Sequence, residues 1–590
     1  MASVTATGTF TYTVRLIPAS SADSISARFE LTDLGGRRIF WRTKYWTFKA
    51  NGSIQPDALS PAPAQDGSYS YTFTRDVSNL HLSPGDYAVT CTIRTSTPER
   101  ATTQKLNSHL FVYDPAGTPA PAVLVLRIGA PALQRTDGVF ASDPATGTAA
   151  LRAAELSQLS RWVIAHPTAR LALAPSPLLV GELADIADGC LYKDRAGATV
   201  QLAASSPAAL ACAGALDDLR AALATGRLEL AWQGYADPDV GALLQHGLTA
   251  DITTQYKQGR TALKTVLGVD PAPVTAPFGG GAVDQADKLL APLDIKQVLP
   301  ASYNKASQSL ETSTVVATQA LLFSQRGQAK ATAVVVGLPL DEPTADALVQ
   351  RVEALQACAW IKFQAPDAAA LQPATADPAP TWQPLETPRH DFTPVWHARQ
   401  AALGLASAID AKSQDASDAT RFSLVAENAF GPHPASAPSA ESYTTGALRI
   451  VKKFFSALSL RTRPVTLAGN SGEAPITVAN STNTQMQVHL EFSTKGSGMK
   501  VEPASSPPLM VAGNEALYSP KVTLHTVGSS TMQVRLMAGE YVICEDSVAI
   551  SGSYLDIIGI VAIVVIVGAG LVIYIWRHAK KVQEGGTRAS

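Results

Sequence analysis

Hydrophobic and polar positions alternate with a period of two over the first 115 residues of the chain. Such alternation is typical of half-buried β-strands, because successive side chains of a strand point to opposite faces of the sheet. Clusters of Gly and Pro separate the alternating segments, as turns separate strands. The pattern predicts a β-sandwich over residues 1–115, with strands at Thr9–Leu16, Ser26–Leu31, Arg38–Phe48, Ser68–Thr74 and Tyr87–Arg94.

Beyond the Pro- and Ala-rich segment 115–121, the pattern changes to short apolar runs with helical stretches between them. Runs that are apolar on both faces are typical of buried parallel strands, and their alternation with helices predicts a β/α layer or barrel. Residues 120–366 are enough for one β/α barrel, complete or incomplete. The predicted strands are Val123–Gly129, Arg170–Ala174, Arg227–Trp232, Ala333–Leu338 and Ala359–Phe363.

Residues 367–458 predict a Pro-rich linker followed by a helical connector. Apolar residues recur there at helical spacing in Thr393–Ala411 and Ser442–Leu458. Residues 459–552 return to alternation with a period of two, which predicts a second β-sandwich. The chain is therefore predicted to be a multi-domain α+β protein.

Both sandwiches are predicted to be immunoglobulin-like. The segment Leu82–Val89 resembles the turn-into-strand signature of immunoglobulin-like modules in bacterial surface proteins. Cys91 has no cysteine upstream with which to pair, so the inter-sheet disulfide of antibody domains is not expected.

Residues 553–590 predict one transmembrane helix and a short tail. The segment Ile557–Trp576 carries no charged residue, and about 20 residues at about 1.5 Å each match a bilayer core of about 30 Å. Basic residues follow it, whereas its other flank is acidic, so the tail is predicted to be cytoplasmic and the preceding domains to lie outside the plasma membrane. The basic residues are Arg577, His578, Lys580 and Lys581. The first residues show neither a basic start nor an apolar run, so the sequence leaves the export route open.

Three segments, in this order, resemble an uncharacterised family of actinobacterial single-pass membrane proteins. They are Leu171–Leu179, the segment Leu230–Leu243 with its Tyr-x-Asp-Pro-Asp sequence, and Ala474–Asn480. The resemblance implies a cell-envelope protein of a family often encoded beside the flippase for lipid II, the peptidoglycan precursor. It also implies a barrel related to deacetylase and glycosidase barrels, and it implies no established activity.

Carboxylates follow several predicted strands of the β/α region. Asp237 and Asp239 follow one strand, whereas Asp284 and Glu342 follow later apolar segments. Functional groups of β/α domains lie at the carboxyl ends of the strands, and two carboxylates there could act as acid and base on a glycosidic bond. The other interpretation is structural, because an Asp that precedes a helix caps its first amides, and Asp239 precedes the predicted helix Val240–His246.

Cysteine and histidine spacing predicts no metal site and no cofactor. The ten histidines are far apart, and the five cysteines have no metal-ligand spacing. Cys190 and Cys212 are candidates for a disulfide, and the odd number of cysteines leaves at least one thiol free. A net charge of −2, with no basic cluster outside the tail, argues against binding of nucleic acid.

The sequence therefore favours a membrane-anchored envelope protein whose β/α domain binds a cell-wall glycan or another envelope membrane protein without catalysis. The alternative is a wall-glycan hydrolase that uses the carboxylates at the strand ends. The sequence leaves open whether the protein is an enzyme.

Overall fold

The computed structural model describes residues 2–5, 7–16, 24–33, 38–48, 54–56, 69–96, 101–245, 247–275, 289–298, 319, 322–323, 331–337, 345–365, 371–373, 393–427, 437–495, 497–525, 528–552 and 555–584. The chain divides into two compact units. The first unit is Met1–His390 with Glu427–Ser439, and the second is Asp391–Ala426 with Ala440–Ser590.

The first unit begins with strands that form two packed sheets. The strands are β1 (Ala2–Thr5), β2 (Thr9–Leu16), β3 (Ser24–Thr32), β4 (Arg38–Phe48), β5 (Ile54–Pro56), β6 (Tyr69–Asp76), β7 (Gly85–Ser96) and β8 (Ala101–Tyr113). One sheet has the order β1-β8-β7-β3-β4-β5, and β2 pairs with β6 in the other. Phe10 and Tyr12 of β2 pack against Leu31, Val89 and Leu110 of the larger sheet, which gives the predicted sandwich its core.

The same unit continues with alternating strands and helices. The strands are β9 (Ala120–Ile128), β10 (Val139–Phe140), β11 (Leu171–Pro175), β12 (Cys190–Lys193), β13 (Thr199–Leu202), β14 (Leu228–Trp232), β15 (Ala272–Thr275), β16 (Gln297–Val298), β17 (Ala331–Gly337), β18 (Ile361–Phe363) and β19 (Leu371–Pro373). The helices are α1 (Thr148–Ala165), α2 (Pro177–Ala187), α3 (Pro207–Ala224), α4 (Val240–Gln245), α5 (Thr249–Leu267) and α6 (Ala345–Gln356).

The main sheet of this region is a parallel sheet that extends to both sides of β9. Its order is β16-β15-β14-β11-β9-β17-β19, with β18 also on β9, and its strand pairs are parallel. From β9 to β16 the order follows the chain, and the later strand β17 returns to the free side of β9. The described strands form a half-barrel, within the β/α layer or barrel, complete or incomplete, that the apolar runs predict.

Helices α1, α2 and α3 contribute to one apolar core with the parallel strands. Leu124 and Leu126 of β9 are fully buried in it, together with Leu156 of α1 and Leu219 of α3. Helix α3 begins where the sequence contains a strong start signal. The Ser206 hydroxyl accepts a hydrogen bond from the Ala209 amide, and a proline occupies the first helical position.

The second unit combines helices with a second set of sheets. The helices are α7 (Thr393–Ala408), α8 (Gln414–Ala426) and α9 (Ala437–Phe455). The strands are β20 (Leu458–Arg461), β21 (Val465–Leu467), β22 (Ser471–Glu473), β23 (Ile476–Asn480), β24 (Met486–Thr494), β25 (Met499–Glu502), β26 (Leu509–Val511), β27 (Glu515–Tyr518), β28 (Lys521–Leu524), β29 (Gly528–Ala538) and β30 (Tyr541–Gly552). The sheet orders are β21-β30-β29-β24-β26, β20-β23-β27 and β22-β28-β25.

The helices of the second unit share a core with its strands. Leu405 of α7 and Phe455 of α9 lie in one apolar cluster with Val488, Leu536 and Ile550 of the sheets. The helical region predicted as a connector therefore packs on the second sandwich.

A long helix, α10 (Leu555–Glu584), ends the described chain. Its segment Val561–Lys580 is long and apolar enough to cross a membrane, with a mean hydropathy of 2.0, and none of it is buried. The predicted apolar segment Ile557–Trp576 lies within α10.

Candidate functional site

The strands β9, β11, β14 and β15 end at a common edge of the half-barrel. Ile128 at the end of β9 is level with Pro175 at the end of β11, and Trp232 at the end of β14 is level with Thr275 of β15. Because carboxyl ends of parallel strands converge on the functional face of β/α domains, this edge is the candidate site.

A buried ion pair connects two strand ends at this edge. Arg127 is the penultimate residue of β9, and its guanidinium donates a hydrogen bond to the carboxylate of Asp237, which follows β14. Arg127 is 3% exposed and Asp237 is 5% exposed. A buried charge requires a partner of opposite sign. The pair therefore fixes the loop after β14 to the central strand.

The loop after β14 turns sharply at Asp237. Asp237 has a φ of 51°, in the left-handed region that aspartate tolerates better than most residues. Its amide donates to the Gly234 carbonyl at 3.0 Å. Gln255 of α5 also holds the loop. Its backbone carbonyl accepts a hydrogen bond from the Tyr235 amide at 2.9 Å. Its side-chain oxygen accepts a hydrogen bond from the Ala236 amide, also at 2.9 Å. The turn is thus fixed from two sides.

Helix α5 approaches this loop so closely that position 259 has to be glycine. A Cβ on Gly259 would lie 2.2 Å from the Gln233 carbonyl oxygen and 3.1 Å from Cγ of Pro177. The missing side chain allows α5 to bring Gln255 and Tyr256 against the strand ends.

Tyr256 forms a buried hydrogen-bond chain to the backbone of β14. Its hydroxyl lies 3.0 Å from Oγ1 of Thr275, and the Thr275 hydroxyl donates to the Trp232 carbonyl at 2.8 Å. Since the Thr275 proton is used there, Tyr256 is the donor to Thr275. Burial raises the pKa of Tyr256 to about 12, while the Arg127 charge lowers this pKa and the Asp237 charge raises it.

We call Arg127, Asp237, Gln255, Tyr256 and Thr275 the strand-end cluster. A further carboxylate of the same compact unit joins it, because Nε2 of Gln255 donates to Oε2 of Glu427 at 2.8 Å. Gln255 and Glu427 are both fully buried. The cluster thus consists of three buried sets of polar contacts, namely Arg127 with Asp237, Gln255 with Glu427, and Tyr256 with Thr275.

Asp239 lies directly before α4, as the cap interpretation requires. Its carbonyl oxygen accepts the Leu243 amide at 3.0 Å, which is the first hydrogen bond of that helix. The structure thus brings Asp237 and Asp239 to the candidate edge. Asp284 and Glu342 lie outside the described residues, so their pairing with Asp237 or Asp239 stays a prediction.

Most of the strand-end cluster was missed by the sequence analysis. Arg127 lies within the predicted strand Val123–Gly129, and a single charge inside a buried strand is a signal for a buried partner. Gln255 and Tyr256 lie on a helix that the sequence analysis did not predict. Thr275 ends a strand that it also missed.

The two candidate disulfide cysteines are free thiols in the structure. Cys190 and Cys212 belong to the same apolar core. Burial raises the pKa of each thiol to about 11. Their disulfide stays a prediction.

Within the described part of the chain, no group of three His, Cys, Asp or Glu residues could hold a metal ion.

Comparison with known proteins gives only distant structural likenesses. No family model and no curated protein matches the chain. The 4-α-glucanotransferase of Thermococcus litoralis is 10% identical, with 71% of this chain and 85% of that chain covered and a TM-score of 0.38. The α-amylase AmyC of Thermotoga maritima is 10% identical, with 57% and 92% covered and a TM-score of 0.31. A Bacteroides uniformis β-glucuronidase is 11% identical, with 93% and 60% covered and a TM-score of 0.17. At these scores the likenesses assign neither a fold nor an activity to this chain.

Proposed function

We propose that this protein is a single-pass membrane protein of the cell envelope, with its folded units outside the plasma membrane and the tail after α10 in the cytoplasm. We further propose that its β/α region binds a cell-wall glycan or an envelope membrane protein and performs no hydrolysis. The resemblance to the actinobacterial family is the reason for naming the cell envelope.

The observation that carries the anchor is the surface of α10. Its Ile, Val and Leu side chains between Val561 and Ile575 are more than half exposed on every side of the helix. A helix that is apolar all round is stable only in a protein core or a lipid bilayer. No described residue of the unit covers this segment, so lipid is the solvent that suits it. The basic residues after Trp576 support a cytoplasmic tail.

The binding role rests on the state of Asp237. A glycoside hydrolase places two carboxylates about 5–10 Å apart on either side of an accessible bond. Asp237 is instead buried and bound to Arg127 within the strand-end cluster. Its carboxylate therefore stabilises the loop after β14, and the cluster acts as a rigid support for the surface around it.

The sandwiches are proposed to be immunoglobulin-like spacers. Tyr87, at the start of β7, donates from its hydroxyl to the Ser83 carbonyl at 2.7 Å. A tyrosine that binds the backbone a few residues upstream, at the start of a strand, recurs in immunoglobulin-like sandwiches. This contact supports the proposal for the first sandwich.

The alternative function is hydrolysis of wall glycan. It is favoured by the position of Asp237 and Asp239 in the loop after β14, at the strand ends where β/α enzymes hold their catalytic groups. Asp237 or Asp239 would then act with Asp284 or Glu342.

Incubation of the purified full-length chain with isolated cell wall separates the two functions. We expect the chain to sediment with the wall and to release no reducing sugar. The variant Asp239→Asn and the double variant Arg127→Met with Asp237→Asn remove the carboxylates, and the double variant removes both charges of the buried ion pair together. Asp194→Asn on an exposed turn is the matched control. Sugar release by the wild type, lost in a variant with an unchanged circular dichroism spectrum, would establish hydrolysis.

Protease added to intact cells should digest the folded units, and their protection would refute the proposed topology.

A further inference from the structure

We propose that the first turns of α10 beyond its apolar segment bind the headgroups of anionic phospholipids. The residues concerned are Arg577, His578, Lys580 and Lys581, which we call the basic belt. This inference rests on the proposed membrane anchor, and it adds a lipid class to it.

The basic belt lies on a continuous helix and is as thick as one headgroup layer. Helix α10 continues without a break to Glu584. At about 1.5 Å per residue, the belt spans about 6 Å along the axis. A bilayer of about 40–45 Å with a core of about 30 Å leaves about 5–7 Å of headgroups on each side. A belt that begins directly after Trp576 therefore lies within this layer.

Two aromatic side chains hold belt residues at this level. The Lys580 ammonium lies 5.4 Å from the ring centroid of Trp576, and the His578 and Tyr574 rings have centroids 5.1 Å apart. Trp and Tyr favour the membrane–water interface. Because each contact joins residues four apart, the aromatic ring and its basic partner lie on the same side of the helix.

The belt covers one side of the helix. At about 100° per residue, positions 580, 577, 581 and 578 fall within an arc of about 160°. Ala579, Val582 and Gln583 occupy the opposite side. Such an arc of positive charge complements the phosphodiester of an anionic lipid, which the Arg577 guanidinium can bind with two parallel hydrogen bonds. A zwitterionic lipid offers the same phosphate but no net negative charge, so the belt favours anionic lipids.

The test measures lipid selectivity around the full-length chain in phosphatidylcholine vesicles. Spin-labelled phosphatidylglycerol and spin-labelled phosphatidylcholine are compared by the fraction that is motionally restricted by the protein. One cation near an anionic headgroup contributes about 1 kcal/mol, which corresponds to about fivefold preference for phosphatidylglycerol. The preference should fall towards onefold in 1 M salt, because exposed charges are then screened.

The decisive variant carries Arg577→Gln, His578→Gln, Lys580→Gln and Lys581→Gln, and it should lose the preference. The matched control replaces three cations and one histidine that are exposed elsewhere, namely Arg161, Lys412, Lys500 and His525, with Gln, and it should keep the preference. Exchange of Arg577→Lys with Lys580→Arg preserves the charge and should also keep it.

The outcomes separate the belt from the anchor. Release of the wild-type chain from vesicles by alkaline carbonate would contradict the anchor itself. Firm insertion with equal association of the two lipids would refute the belt alone, as would a preference that the four-fold Gln variant retains.

Discussion

The strand-end cluster and helix α10 depart from the usual distribution of residues in opposite directions. The cluster buries charged and polar groups, among them Arg127 and Asp237 at 3% and 5% exposure. Helix α10 exposes Ile, Val and Leu side chains on every side. Each arrangement is costly in water, since a buried charge and an exposed apolar surface both raise the free energy of the folded state.

The two regions meet this cost by different means. In the cluster, the compensating groups belong to the protein itself, because Arg127 binds Asp237 and Gln255 binds Glu427. For α10, the described residues of its unit provide no cover, and the compensation must come from lipid. The cluster is therefore sensitive to loss of one partner, whereas the anchor is sensitive to a change in its own polarity.

Charges introduced into the middle of α10 should have the largest effect. The ten Ile, Val and Leu residues between Val561 and Trp576 favour insertion by about 3–6 kcal/mol in sum, and each central Arg opposes insertion by about 2.5–3.5 kcal/mol. Val564→Arg alone should leave the chain in the membrane. Val564→Arg with Val567→Arg opposes insertion by about 5–7 kcal/mol and should release a large fraction of the chain.

Extraction of membranes with alkaline carbonate measures this fraction. Val564→Ala with Val567→Ala is the control, since it changes the same positions without charge. Equal retention of the double Arg variant and this control would show that lipid is not the solvent of α10.

Loss of one partner in the cluster should have the next largest effect. Arg127→Met leaves Asp237 buried without its cation, and we expect a loss of about 3–5 kcal/mol in the unfolding free energy of the first unit. Restoring neutrality with Asp237→Asn in the same chain should recover most of that loss. Asparagine suits this position because it tolerates a positive φ.

Hydrogen exchange of the β9 amides reports the stability of this region without requiring the whole chain to unfold in one step. The control is Arg161→Met, which breaks the exposed pair with Asp218 and should cost no more than about 1 kcal/mol. If the two single variants lost similar stability, the cluster would not behave as a buried ion pair.

Much of the fold follows from hydrophobic periodicity alone. The predicted strands Thr9–Leu16 and Arg38–Phe48 agree with β2 and β4 to the residue, because alternation fixes which face is buried. The apolar runs predicted β9, β11, β14, β17 and β18 for the same reason. Strands β15 and β16 were missed, since they are short, and β15 contains a proline that weakens its strand pattern.

The candidate site could be predicted only in part. Asp237 and Asp239 were found because residues after a predicted strand can be read from local sequence. Their partners could not be, since Arg127 and Asp237 are 110 residues apart and Gln255 and Glu427 are 172 apart. Local patterns do not specify such long-range contacts. The lone arginine in β9 was the one local signal, and it indicates a partner without identifying it.

A pair of glycine substitutions should have the smallest effect, and it tests the close approach that assembles the cluster. Gly259 and Gly214 both lie inside helices, α5 and α3. A Cβ on Gly259 would meet the Gln233 carbonyl oxygen at 2.2 Å, whereas a Cβ on Gly214 would meet nothing within 4 Å. Gly214→Ala should stabilise the first unit by about 0.4–1 kcal/mol, because alanine restricts the unfolded chain and favours a helix.

Gly259→Ala gains the same helical preference, but it must push α5 away from the loop after β14, at a cost of about 1–3 kcal/mol. We therefore expect opposite signs for two chemically identical changes, measured as shifts in the thermal midpoint of the first unit. The shift at Gly259 should be accompanied by faster exchange of the Tyr235 and Ala236 amides, which Gln255 holds in place. Stabilisation by both substitutions would mean that α5 can move away without disturbing the loop. The polar groups of the cluster would then not depend on this contact for their burial.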